Sequence, residues 1–160
     1  MKTSTRKLVM VAMTAGVYAA ATIFMAPISY GALQLRLSEI MTLLAFIDPI
    51  FVPGLVLGCV ISNLFSPFGM IDVVVGSTAT FLAVYMISKS KNLFVASLWP
   101  TIFNGLIIGA EIFYLTGTPL LLNVLYVALG EFLVVTLIGY PVFKMIVDKN
   151  VFRFFKIEDY

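Results

Sequence analysis

Seven polar side chains stand out in a chain that is otherwise nearly free of charge: Gln34, Arg36, Glu39, Asp72, Asn104, Glu111 and Glu131. Arg36 and Glu39 are three positions apart and share one helical face, and Asn104 and Glu111, seven apart, do the same. Glu131 follows Gly130, whose missing side chain lets a second backbone or a ligand come close. A carboxylate accepts two adjacent N–H donors or an ammonium group, while arginine and amide groups donate to a carbonyl. All seven are therefore candidate substrate-binding residues of a polar pocket. Catalysis is poorly served, since no nucleophile–base pair is in view. With no histidine and one cysteine, Cys59, neither a transition-metal site nor an internal disulfide is expected. No cofactor and no nucleic acid partner are expected either.

Each residue also has a plainer reading. Arg36 and Glu39 make an ion pair at a helix start, Asp72 caps a helix, and Asp48 caps the one that begins at Pro49. Glu131 resists such a reading, because it is deep in an apolar run and no basic residue lies near it in sequence. An ionised group at mid-helix costs roughly 2.5–3.5 kcal/mol on insertion scales, so these groups should face a bundle interior or a polar cavity.

The elements that must position them are membrane helices. The chain has 160 residues, 61% of them hydrophobic, with mean hydropathy +1.08. A soluble domain of this length has too much surface to hide so much apolar side chain. Six segments are marked off by Pro, Gly and charge, at about 8–26, 37–47, 50–64, 71–87, 93–115 and 120–146. The second and third are short for a full span. The opening MKTSTRKLVM has the basic start of a signal peptide, but its apolar run is too long, and it is expected to stay as the first helix. The expected architecture is a single all-α transmembrane domain over 1–160.

Charge orients it. With six spans, Lys2, Arg6, Lys7, Lys89, Lys91, Lys144, Lys149, Arg153 and Lys156 fall on one side and only Arg36 on the other. Nine against one predicts that both termini are cytoplasmic. Asp148, Glu158 and Asp159 go with the basic tail. The outer half keeps Glu39, Asp72, Glu111 and Glu131 against Arg36, a formal charge of −3 if all are ionised. Rise per residue puts Glu131 roughly 18 Å below the outer end of the sixth helix.

Small residues at four-residue spacing allow close helix approach. Gly54/Gly58 and Gly105/Gly109 are expected to pack inside the bundle. For Ala15 and Ala19, a seam for a partner protein is as natural as internal packing. Trp99 suits an interfacial anchor. Tyr30, Phe65, Phe68 and Tyr126 are able to stack on a flat ligand, although core or lipid-facing positions are simpler.

The stretches LRLSEIMTLLAFIDPIFVPGLVLGCVISNLFSPFGMIDVVVGSTATFLA, FNGLIIGAEIFYLTG and LYVALGEFLVV together resemble the QueT family over roughly residues 8 to 145. Its R-x-S-E, P-G-x-x-x-G-C, N-x-x-x-x-G-x-E and L-G-E patches recur in the same order. These are queuosine-precursor transporters, the substrate-binding S components of energy-coupling-factor (ECF) transporters. The resemblance implies a six-helix fold in a prokaryotic plasma membrane, with a pocket capped by outer loops. It also implies a deazapurine substrate, preQ1, and partnership with a T component and two ABC ATPase subunits. The A-x-x-x-A pattern at Ala15 and Ala19 resembles the seam by which S components meet the T component. The chain lacks a G-x-x-x-x-G-K-[ST] loop, so energy would come from those partners. Three alternatives stay open: an S component for another small vitamin-like solute, a solitary transporter using Glu131 for proton coupling, and a membrane enzyme with paired carboxylates.

Overall fold

The computed structural model describes residues 3–31 and 33–149. Lys2, Arg153, Lys156, Glu158 and Asp159, used above to orient the chain, lie outside the described residues. The described chain is helical almost throughout. Helix α1 (Thr3–Phe24) is followed by one turn, α2 (Ala26–Ser29), started by Pro27. A 3-10 segment (Leu37–Leu43) runs into α3 (Leu44–Ile47). A second 3-10 turn (Pro49–Phe51) leads into α4 (Val52–Asn63). Then come α5 (Met70–Lys89), α6 (Leu93–Thr116) and α7 (Leu120–Glu131). A π-helix (Phe132–Gly139) and α8 (Tyr140–Asp148) continue the line of α7.

Local chemistry sets these boundaries. Asp48 caps its turn as expected, accepting from the Ile50 amide at 2.9 Å, with Pro49 where a missing N–H is harmless. Asn92 accepts from the Phe94 and Val95 amides to start α6, and Gly117, at φ +70°, ends it in the left-handed conformation. Asp72 is not a cap. It is the third residue of α5, whose N-cap is Gly69.

Among the described residues, four helices are long and apolar enough to cross a membrane: Thr5–Phe24, Met70–Lys89, Leu93–Thr116 and the continuous Leu120–Asp148. Leu37–Ile47 and Pro49–Asn63 are apolar but shorter. Fifteen helical residues rise only about 22 Å against a hydrocarbon core of about 30 Å. The expected second helix is therefore mostly a tight 3-10 segment, and the expected sixth is interrupted by the π-helix. Phe24, Leu121 and Tyr114 are among many large apolar side chains left exposed, as a lipid-facing surface requires.

Glycines set the packing. Gly54 and Gly58 of α4 lie against α1, where a Cβ on Gly58 would stand 2.9 Å from the Ala15 carbonyl oxygen and 2.8 Å from Tyr18 Cβ. Gly105 and Gly109 of α6 lie in the same way against Ala128 and Val124 of α7. These are backbone approaches that only small residues permit. The main apolar core joins Tyr18, Leu55, Cys59, Val84 and Ile87.

Of the two readings open for Ala15 and Ala19, their burial within the chain favours internal packing. Ala15 is 3% and Ala19 5% exposed, because Thr14, Ala15, Tyr18, Ala19 and Thr22 form the inner stripe of α1. The small residues that do face outward are Ala12, Gly16 and Ala20, and a Cβ on Gly16 would meet nothing within 4 Å.

Candidate solute-binding cluster

The loop after α2 brings the first site residues into the bundle. Gln34 takes a left-handed backbone, φ +46°, uncommon for a side chain other than glycine. Here the chain crosses α7 so closely that a Cβ on Gly130 would run into the Leu33 carbonyl oxygen. The glycine beside Glu131 thus admits the backbone that carries Gln34 and Arg36.

Arg36 is 4% exposed and sits at the head of the 3-10 segment. Its Nη2 lies 3.4 Å from Asp72 Oδ2, and its guanidinium stands 5.3 Å above the Tyr30 ring. The Tyr30 hydroxyl is fixed by donating to the Ser62 carbonyl at 2.5 Å. The Arg36–Glu39 ion pair suggested by spacing is not formed. Glu39 is fully buried and accepts instead from the Tyr18 hydroxyl of α1. Thr22 and Ser38 join the same two elements through their hydroxyls at 2.5 Å.

Asp72 leans over Gly76, where a Cβ would lie 2.5 Å from Asp72 Oδ1 and 2.6 Å from Asn63 Nδ2. Asn63 donates to the Asp72 carbonyl at 3.0 Å, tying the end of α4 to the start of α5. Across the bundle, Asn104 of α6 donates to Glu131 Oε1 at 2.7 Å. Glu131 lies within electrostatic range of both Glu39 and Arg36.

All seven candidates are buried, and five of them make side-chain contacts in separate pairs: Arg36 with Asp72, Asn104 with Glu131, and Glu39 with Tyr18. Glu111 is different: it feels Asp72 and Arg36 electrostatically but bonds to neither, and it lines a groove between α5 and α6. Of the aromatic candidates only Tyr30 belongs to the cluster. Phe65 and Tyr126 are exposed, and Phe68 is half-buried. Trp99 donates to Ser90 Oγ at 2.9 Å and stacks on Phe103.

Sequence reading missed Tyr18 and Asn63. Tyr18 was hidden in the small-residue seam of α1. Asn63, an amide ending an apolar run, was the available signal for the second.

The cluster holds buried polar atoms with no hydrogen-bond partner: Arg36 Nε, Glu39 Oε2, Asn63 Oδ1, Asp72 Oδ1, Asn104 Oδ1 and Glu131 Oε2. Buried polar groups are nearly always paired in native proteins, and leaving one unmade costs about 1–3 kcal/mol. One donor and five acceptors, gathered from five elements, are thus left with unused hydrogen-bonding capacity.

Comparison with known proteins agrees in class. The family model for the QueT transporter matches residues 8–148. A protein of Lactococcus lactis subsp. cremoris (strain MG1363) named "Queuosine precursor transporter QueT" is 32% identical over 147 residues, covering 82% of this chain and 86% of that protein. No solved structure is significantly similar to the chain. With apolar helices long enough to cross a bilayer and a family match over most of its length, the chain is a multi-pass membrane transporter of the QueT family.

Proposed function

We propose that the chain is the solute-binding subunit of an ECF importer and takes up the queuosine precursor preQ1, a 7-deazaguanine carrying a protonated aminomethyl group. The observation that carries this reading is the set of unpaired polar atoms around Glu131, Asn104 and Arg36. A guanine edge presents two adjacent N–H donors. Glu131 Oε2 and Asn104 Oδ1, held together by the Asn104–Glu131 bond, offer two acceptors on neighbouring side chains. Arg36 Nε is a donor for the ring carbonyl. Glu39 Oε2 and Asp72 Oδ1 are acceptors for the ammonium. Tyr30, already under Arg36, offers a flat face beside them. The name of the Lactococcus relative supports a queuosine precursor as the substrate.

The six apolar segments then form one domain in a prokaryotic plasma membrane, with both termini cytoplasmic and the cluster toward the outside, as the basic residues direct. Uptake is driven by a T component and two ABC ATPase subunits. Their docking face on α1 is Ala12, Gly16 and Ala20, since Ala15 and Ala19 are occupied inside the bundle. The direct test is calorimetric titration of preQ1 into purified protein, with mass spectrometry of any ligand that co-purifies. Glu131→Gln should weaken preQ1 by at least about tenfold, the loss of one well-placed buried acceptor. Equal affinity in wild type and in Glu131→Gln, Glu39→Gln and Asp72→Asn, each taken singly, would remove these acids from the site.

A further inference from the structure

A groove between α5 and α6 lies outside the solute cluster. Its volume is about 650 Å³, and Ile71, Val75, Leu106, Ala110 and Tyr114 form its walls with Glu111 among them. Ile71 is the second residue of α5 and Tyr114 lies two residues from the end of α6, so the groove reaches the same membrane face at which these helices begin and end. Its outer walls are lipid-facing, with Tyr114 82% and Leu106 57% exposed.

Glu111 is out of keeping with these walls. It is 5% exposed, and neither carboxylate oxygen has a hydrogen-bond partner. Arg36, the one cation it feels, is already paired with Asp72 at 3.4 Å. It lies five residues before the end of α6, about 8 Å along the axis, near the level where lipid headgroups meet acyl chains. An acid without a hydrogen-bond partner in an apolar, lipid-facing groove calls for an occupant with a cationic donor at one end and a hydrocarbon body.

We propose that this groove is a lipid site for an aminophospholipid: its primary ammonium lies on Glu111 and an acyl chain runs along Leu106 and Val75. The ammonium brings three N–H donors, enough to satisfy both carboxylate oxygens. A quaternary choline headgroup has the charge but no donors, and a glycerol headgroup has donors but no positive charge. Selectivity for the primary amine therefore identifies Glu111 as the contact. Glu131 and Asn104, the centre of the solute reading, take no part in this site.

The test is native mass spectrometry of the whole protein released from micelles doped with phosphatidylethanolamine, phosphatidylcholine or phosphatidylglycerol of identical acyl chains. Phosphatidylethanolamine should be retained at least about tenfold more than either of the others, a difference of the size a buried charge-assisted contact supports. Glu111→Gln should remove that preference, and Glu131→Gln should leave it intact while weakening preQ1. If Glu111→Gln does not fold, the headgroup series on the unsubstituted protein decides alone. Equal retention of the three lipids overturns the proposal. So does displacement of phosphatidylethanolamine by excess preQ1, which would return Glu111 to the solute site.

Discussion

Gly130→Ala is the smallest change that should disable the cluster without touching any of its polar groups. At this position the added Cβ meets the Leu33 carbonyl oxygen well inside van der Waals contact, and the obstacle is backbone, which cannot rotate aside. Ordinary separation is restored only if the 33–34 backbone withdraws by roughly an ångström or more. Arg36 follows two residues later, and its ion pair with Asp72 stands at 3.4 Å. An ångström of withdrawal takes that pair beyond the roughly 4 Å within which such contacts count. Overpacking alone costs about 1–3 kcal/mol. At roughly 2–4 °C per kcal/mol for a chain of this size, the melting temperature should fall by about 2–12 °C. Affinity for preQ1 should fall at least about tenfold, since displacing Arg36 costs upwards of about 1.4 kcal/mol. Thermal unfolding and calorimetric titration of the purified variant are the assays. Gly16→Ala is the control, because a Cβ there meets nothing within 4 Å. A Gly130→Ala protein that melts and binds as wild type would refute the crossing of Leu33 over α7 and with it the placement of Arg36.

Three further predictions test other parts of the argument. Tyr18→Phe removes the hydroxyl that Glu39 accepts, leaving both carboxylate oxygens unpaired; stability should drop by about 1–3 kcal/mol, read as a lower melting temperature. Ala15→Trp should destabilise the isolated protein by overpacking against Gly58. Gly16→Trp should leave stability and preQ1 binding unchanged and abolish co-purification with the ECF subunits; the reverse pattern would put α1 in the wrong rotational phase. In a Cys59→Ala background, cysteines at Thr5 and Lys149 should resist membrane-impermeant thiol reagents in intact cells while one at Gly117 reacts. Labelling of Thr5 and Lys149 from outside would invert the topology.

Much of this arrangement was legible in the sequence. Length and hydropathy mark the long helices, because a bilayer imposes one length on any helix that crosses it. Asp48 before Pro49 and the two glycine pairs were equally plain, since caps and close approaches have local signatures. The π-helix was not, because FLVVTLIG is apolar on every face and offers no periodicity to betray a change of helical pitch. The phase of α1 was left open between two readings for a related reason. Ala15/Ala19 and Ala12/Gly16/Ala20 carry the same four-residue spacing, and only the burial of Tyr18 beside Gly58 selects the inner one.

The polar contacts were the least legible, and Arg36 shows why. Sequence spacing offered it Glu39, three residues on, as the nearest acid. In the fold, Glu39 turns to Tyr18, and Arg36 reaches Asp72, 36 residues away, because Gly130 lets the Leu33 backbone drop onto α7 and Gly76 makes room for Asp72. Pairing across elements depends on where backbones are allowed to touch, so the glycines beside these acids decide it. Arg36–Asp72 and Asn104–Glu131 leave each acid with one oxygen unpaired, and the Tyr18–Glu39 bond does the same for Glu39. A cluster made only to be stable would have used fewer acids or satisfied them all. Three half-satisfied carboxylates, one of them paired with the arginine, are what the proposed solute-binding role asks for, since it leaves the remaining hydrogen bonds to the solute.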